Sequence, residues 1–574
     1  MQGRMWRKAG LYINTVKYLR PTQIAGQLTK PLKGKAGLKG RKRVKNCIRQ
    51  NIRTWITELD GNSEFLSRFD PDELLHNRVT LLNETHELDL KTWQAEALPL
   101  WRFNLHYLEY CICLGEQFRE KNEIRYYRSF RKIVLSWIKA NPESVGDGWH
   151  PYTISLRIPN LFVCLELFQE PLEKDRLFRE QVMGNIYRQY CILLRRKETW
   201  LLGNHYLENL KTILLCSLVF GEENVYEKHI RLFQRELREQ ILADGMHFEQ
   251  SPMYHKIILE DVIRVAFWLR QAGKREYLGL LPTLQRMADA GLSLEKGMGR
   301  TPLFNDSGDN VAKPIQALLE ASERLFGIQA KEKAGLDFSG YYKLYGKGTA
   351  LLFDAGKIGP DYMPGHGHCD CLSFELSLNG RPLFVNGGTF QYQGRERNYF
   401  RSAKAHNTVE IGEHQQSECW GEHRVARRIH GIRVRAAGEG IVGEYQNYLG
   451  ESHRRRISLD KKQLTVWDLA GGRKGVTVHS YLHIAPGFCT FLSGRKIGIA
   501  DEEGRLVCAI TPMQCDFQIH DSGELAYYAP EFGLLNQGRC VEFCWKADGK
   551  QHGYAVVFGD AGVQTYSKRS GLSY

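Results

Sequence analysis

"MPGHGHCDCLSFELSLNGRPLFVNGGTF", residues 363–390, sets two kinds of signal side by side. From Leu372 to Leu378 apolar residues alternate with polar ones, the period-two pattern of a strand with one face buried. A Gly-Gly turn follows at 387–388. Just ahead of the strand stand His366, His368 and Asp370. A polar loop running into a sheet accounts for them without chemistry. Side chains delivered to a site at the mouth of the strand are the other reading.

The strand texture extends in both directions from this stretch. "GYYKLYGKGTALLFDAG" (340–356), "HNTVEIGE" (406–413), "RRISLDKKQLTVWDLAG" (455–471) and "GYAVVFGD" (553–560) share the alternation, the β-branched residues and the glycine turns. Upstream the period changes. "LPLWRFNLHYLEYCICLGEQFR" (98–119), "YYRSFRKIVLSWIKA" (126–140), "HYLENLKTILLCSLVFG" (205–221) and "HKIILEDVIRVAFWLRQA" (255–272) carry apolar residues at helical spacing. Gly, Pro, Asn and Asp punctuate them at short intervals. Helices followed by strands predict an α+β chain with segregated domains. The expected division is a basic arm with short helices over 1–94, an incomplete (α/α) toroid over 95–335, and antiparallel β-sheets stacked as a sandwich over 336–574.

Bulk properties narrow the class. The 574 residues are 43% hydrophobic and 25% charged, ordinary for a globular protein, and carry a formal charge of +14. That excess suits a polyanionic partner. Part of it is local to "KPLKGKAGLKGRKRVKN" (30–46), which reads as a solvated arm before it reads as a nucleic-acid site. No apolar run is long enough to span a bilayer, and the N-terminus lacks an uninterrupted apolar core of a signal peptide, so a cytoplasmic location is expected. The 14 cysteines form no CxxC pair and read as reduced, mostly buried thiols.

Four stretches hold candidate chemistry. In "LLGNHYLENLKT" (201–212), Asn204 and His205 open a helix, and Asn204 either caps it or serves a substrate. "DGMHFEQSPMYHKI" (244–257) places Glu249 and Tyr254 in and after a polar loop. The opening stretch is the third. "RERNYFRSAKAHNTVEIG" (395–412) holds Tyr399, Arg401 and His406 before a strand. Taken in this order, "NHYLEN", "GHGHCDCLSFEL" and "FRSAKAHNTV" resemble the heparinase II/III-type polysaccharide lyases and their alginate-lyase relatives, over roughly residues 101–412.

The resemblance implies a helical toroid joined to antiparallel sheets, with the active site between them. It implies that Asn204 and His205 engage a uronate carboxylate, that Tyr254 is the general base or acid, and that His366 lies beside the sugar. It also implies that His368 and His406 are ligands of a structural metal, with Asn386 standing where many relatives have an aspartate. An amide oxygen is a weaker ligand than a carboxylate, which weakens the case for zinc and leaves manganese, calcium or no metal open; no organic cofactor is expected. The chemistry agrees with these roles. Removing the proton at C5 of a uronate requires the neighbouring carboxylate charge to be neutralised as the enolate-like state forms. A tyrosine base, with an ordinary pKa near 10, would need a cation beside it, and Arg401 is one candidate. Arg157, Glu249, Tyr399, Arg401 and Trp420 are further candidates for substrate contact. Asn104 and His106 are equally suited to structure, and Asp370 to capping its turn.

The expectation is a lyase that cleaves uronate-containing anionic polysaccharides by β-elimination, glycosaminoglycans first and alginate next. A toroid hydrolase would need a facing carboxyl pair, of which only Glu249 and Asp370 offer a trace. A non-catalytic polysaccharide binder is the other alternative. Nucleic acid is not expected as a partner.

Overall fold

The computed structural model describes residues 2–34, 54–142, 145–438 and 440–559. Residues 35–46 of the basic segment lie outside them. Helices run from Pro99–Tyr107 through Ile315–Phe326, and the sheet region begins at Gly335–Leu336. The helix Ile124–Ala140 shows why the periodicity was readable: it buries Tyr126, Tyr127, Phe130, Ile133, Val134 and Trp137, one stripe at helical spacing. Gly203–Phe220 is different. It is buried on all sides, packed against Pro151–Leu167, Glu223–Gln240 and Pro252–Gln271 in a toroid-like array. Among the described residues no helix is long and apolar enough to cross a membrane.

Ahead of the toroid, the sequence reading expected only short helices. The structure adds an antiparallel hairpin, Arg78–Leu81 with Glu84–Glu87. Its turn residues Leu82 and Asn83 both have positive φ, the backbone of a two-residue hairpin turn. Val79 and Leu81 of this hairpin join Leu59, Phe69 and Trp93 in the same core as the toroid helices.

The C-terminal half holds a nine-stranded and an eight-stranded sheet, paired antiparallel. The strand Thr349–Asp354 explains how they stack. All six of its residues are buried. Ala350 and Leu352 pack with Met246, Ala290 and Leu294 of the helical domain, whereas Leu351 and Phe353 pack with Ile457, Val466 and Val556 of the eight-stranded sheet. The nine-stranded sheet is therefore the middle layer. Between the sheets, Arg455 donates to Asp468 at 2.8 and 2.9 Å, and His453 joins them at 2.8 Å. A buried charge in this position needs such a partner.

Candidate active site

The helical domain and the middle sheet meet around a cavity of about 330 Å³. Tyr254, His205, His366, Tyr392 and His423 line it, with Glu208, Lys211 and Asp261 among its other lining residues. Asn204 adjoins it through His366, 3.5 Å away.

Asn204 and His205 are presented by a strained turn. Leu202 has φ 69° and ψ −154°, and Gly203 has φ 57°, after which the helix starts. The positive φ of Gly203 favours glycine, and a side chain there would have to displace the ends of Met363 and Glu249. Asn204 donates from its backbone N–H to Glu249 Oε1 (3.1 Å) and from Nδ2 to Oε2 (2.8 Å). Glu249 thus orients a donor, and it is itself buried. His205 Nδ1 lies 3.0 Å from Glu198 Oε1. Burial would raise the Glu198 carboxyl, but the His205 and His150 imidazoles and the Asn209 amide outweigh it and hold it below the usual glutamate range. A carboxylate on Nδ1 fixes the proton there and leaves Nε2 for a ligand.

Tyr254 stands in the first turn of Pro252–Gln271, capped by Ser251. Its ring lies 4.1 Å from that of His366, and its hydroxyl is 2.9 Å from the hydroxyl of Tyr392. Burial raises the Tyr254 phenol well above its ordinary value, and the Tyr392 hydrogen bond offsets only part of the rise. In the resting site Tyr254 therefore keeps its proton.

Facing the sheet side, the organising residue is Asp306, fully buried in the loop between the helices Leu281–Glu295 and Ile315–Phe326. Its carboxylate meets His366 Nδ1 (2.9 Å), His368 Nε2 (2.8 Å) and both terminal nitrogens of Arg397. Burial would raise Asp306; the Arg397 charge and the two imidazole hydrogen bonds instead hold it well below the usual carboxylate range. His366 is thereby aimed with Nε2 toward Asn204 (3.5 Å) and Glu249 (3.7 Å).

Behind it, His368 Nδ1 lies 3.2 Å from His406 Nε2, and a carboxylate oxygen of Asp370 is within 4.8 Å of both. Burial pushes His368 down to about 4 and also lowers His406 well below the ordinary imidazole range, so both imidazoles are neutral, the state that binds metal. Burial pushes Asp370 up to about 7. A cation between the three would relieve that burial cost. Two imidazole nitrogens on one tetrahedral ion stand roughly 3.3 Å apart for bonds of about 2.0 Å, so the spacing fits a metal. Asn386, expected as the third ligand, is engaged elsewhere: its Oδ1 accepts from Ser373 Oγ (2.7 Å) and the Asn407 N–H (3.3 Å). Asp370 takes the place beside the imidazoles, and it also accepts from the Asn305 N–H at 2.8 Å.

Several expected sugar contacts are not offered to the cavity. Arg157 is fully buried and donates to Gln189 and to the carbonyls of His106 and Gly148. Arg401 is equally buried and donates to the carbonyls of Gly367, Gly421, Glu422 and Arg424, so it is not the cation beside Tyr254. Tyr399 packs on Phe400 and Tyr527. The Trp420 ring is covered by Tyr12 (4.8 Å) and Arg424, and its Nε1 donates to Thr15. His106 is buried and accepts from Trp137 Nε1, while Asn104 does line the cavity. Glu249 and Asp370 do not face each other as a hydrolytic pair; one holds Asn204 and the other adjoins the imidazoles.

The sequence reading passed over Tyr392, His423, Arg397, Asp306 and Glu198. Tyr392 and His423 stand in polar stretches next to quoted motifs, which is a weak signal. Asp306 and Glu198 carry none, because their partners are distant in sequence.

Two family models match the chain: the heparinase II/III N-terminal model over residues 42–331 and the heparinase II/III-like C-terminal model over 329–538. The chain is 22% identical over 449 residues to a heparin-sulfate lyase of Bacteroides stercoris, covering 68% of this chain and 65% of the relative. It is 23% identical over 406 residues to one of Pedobacter heparinus, covering 63% and 59%. These matches thus span under two thirds of the curated relatives' length. In solved structures the fold is similar to that of heparinase III, with a TM-score of 0.69 at 17% identity over 94% of this chain and 90% of that one. A heparan sulfate lyase mutant from Pedobacter heparinus gives a TM-score of 0.59 at 18% identity, over 94% and 88%. With two adjoining family models spanning residues 42 to 538, the chain belongs to the heparinase II/III family.

Proposed function

We propose that the protein is a polysaccharide lyase that cleaves uronate-containing glycosaminoglycans by β-elimination, with heparan sulfate as the first candidate substrate. The observation that carries this reading is the convergence of Asn204, His205 and Tyr254 from the helices with His366 from the sheet domain around one cavity. Relatives named heparin-sulfate lyases favour heparan sulfate over chondroitin sulfate, hyaluronan and alginate.

The uronate carboxylate sits against Asn204 Nδ2 and the Nε2–H of a doubly protonated His205 whose Nδ1–H is held by Glu198, and these donors neutralise the charge that builds up as C5 loses its proton. With Asp306 holding the proton on Nδ1, His366 Nε2 is the free base and takes the C5 proton. The C5–H electrons form the C4–C5 double bond, and the C4–O bond breaks. Tyr254, protonated at rest, gives its proton to the departing oxygen, and Tyr392 stabilises the resulting phenolate through the hydroxyl contact. Proton return from the His366 imidazolium to Tyr254 resets the site. The test is the ultraviolet absorbance of unsaturated uronate products over a panel of acidic polysaccharides. The expected result is signal on heparan sulfate that exceeds the signal on alginate; no signal on any member would overturn the reading.

His368, His406 and Asp370 would hold a metal, and two neutral imidazoles with one carboxylate suit zinc. Its contribution is structural: it ties the turn that presents His366 to the segment that precedes the strand Val409–Ile411. Elemental analysis of purified protein is expected to find zinc. His368→Ala and His406→Ala are expected to lose it and to melt at lower temperature. Metal-free protein with an unchanged melting temperature would overturn the assignment.

A further inference from the structure

Beside the imidazole cluster, Cys369 Sγ and Cys419 Sγ lie 3.9 Å apart. Cys369 follows His368 directly and is buried, its N–H bonded to the Arg401 carbonyl at 3.0 Å. Cys419 is partly exposed. It begins a small hairpin in which Cys419–Trp420 pairs with Arg424–Val425. The turn of that hairpin carries His423, whose ring lies 6.0 Å from His366 and 5.1 Å from Tyr392 in the cavity wall. Arg401 and Arg397 hold the hairpin from below through the carbonyls of Gly421, Glu422 and Arg424. The two thiols therefore join a buried turn of the site to a surface hairpin of the same site.

We propose that Cys369 and Cys419 form a reversible disulfide when the protein meets hydrogen peroxide, and that the cross-link draws the His423 hairpin onto the His366–His368 turn and slows turnover. Cys419, the less buried of the two residues, reacts first. The Cys419 thiolate attacks one peroxide oxygen, the O–O bond breaks, and a sulfenic acid forms with loss of one water after protonation. Cys369 sulfur then displaces the sulfenic oxygen as a second water, and the S–S bond forms. Two thiols are oxidised and one peroxide is reduced to two waters. The Cys369 hydrogen bond lowers the Cys419 thiol against the effect of burial, and the Arg401 and Arg397 charges lower it as well. An S–S bond of about 2.05 Å requires the sulfurs to approach by about 1.9 Å. Shifts of roughly 1 Å in positioning groups cost on the order of a hundredfold in rate when they displace the chemistry directly. His423 lines the cavity without holding a reacting proton, so a loss of roughly tenfold is expected.

The test treats the full chain with hydrogen peroxide, alkylates the remaining thiols and maps the peptides, with kcat/KM measured alongside. The expected result is a Cys369–Cys419 linked peptide, a kcat/KM lowered about tenfold, and recovery of both by dithiothreitol. Cys419→Ser is expected to keep the basal rate and to ignore peroxide. Alkylated Cys369 and Cys419 at a dose that already oxidises the exposed Cys489 would overturn the proposal. So would a linked peptide with an unchanged rate. The rate measurement rests on the lyase reading, but the peptide map does not. A protein that cross-links yet cleaves no polysaccharide even when reduced would support the cross-link and count against the lyase reading alone.

Discussion

On the helical side of the cleft the two ligand-facing groups lean on separate carboxylates, Asn204 on Glu249 and His205 on Glu198, though His150 and Asn209 also meet Glu198. On the sheet side a single carboxylate, Asp306, serves His366, His368 and Arg397 together. The first arrangement is modular, because either carboxylate can be lost without disturbing the other. The second is shared, because the group that positions His366 also orients His368 and neutralises a buried arginine. A shared anchor ties catalysis to stability, and a private one does not.

The largest effect is expected from Asp306→Asn. It leaves Arg397 buried without its counter-charge, a situation that costs about 3–5 kcal/mol, and it releases His366 as well. Calorimetry and rate measurements should fall together. A variant with a native melting temperature would break the contrast. Next is Tyr254→Phe, which keeps the ring contact with His366 and removes the proton. Turnover is expected to drop about 10²–10⁴-fold, with substrate still bound in an equilibrium assay and the melting temperature unchanged. Comparable turnover would remove Tyr254 from the mechanism.

The helical domain has a shared ion-pair network of its own, on the wall of the same cavity, and it sharpens the comparison. Glu260 is held at about 2; burial would raise it, but Lys313 and Arg264 lower it more. A depressed carboxyl stabilises the fold above its unfolded pKa of about 4.3 and loses that stabilisation as pH falls through the folded value. The loss should therefore run from about pH 4.3 down to about 2 and amount to about 3 kcal/mol. Thermal melts of wild type and Glu260→Gln across that window are expected to converge at the acid end. The smallest effects are those of the private anchors. Glu249→Gln and Glu198→Gln are each expected to slow turnover by about 10–100-fold with little change in melting temperature. Losses that multiply in the double variant would show that the two anchors act independently. A melting temperature that fell as far as that of Asp306→Asn would contradict the private reading.

Much of this site is legible in the sequence itself. Asn204, His205, Tyr254, His366, His368 and His406 sit in short local motifs, and the structure gathers them at and behind one cavity wall. Arg157 and Arg401 misled for a physical reason: an arginine in an apolar or polar stretch carries no mark that says whether its guanidinium will face a cleft or backbone carbonyls. Tyr399 and Trp420 misled in the same way, since an aromatic ring that fills a core and one that meets a sugar have the same local sequence. Asn386 and Asp370 are the sharper case. Position within the motif selected the amide, whereas packing gave that amide to Ser373 and Asn407 and left Asp370 by the imidazoles.

The amino-acid sequence alone determined the order of helices and strands and the identity of the motif residues, because side-chain period and turn chemistry are properties of neighbours along the chain. Tertiary structure decided which carboxylate holds which functional group. Asp306 and His366 are 60 residues apart, Asn204 and Glu249 are 45 apart, and Tyr254 and Tyr392 are 138 apart. No local pattern connects them. Their pairing follows from burial: once the helices and the middle sheet close on each other, each polar group shut away from water must find a partner there, and the partner is whichever group the packing brings within reach.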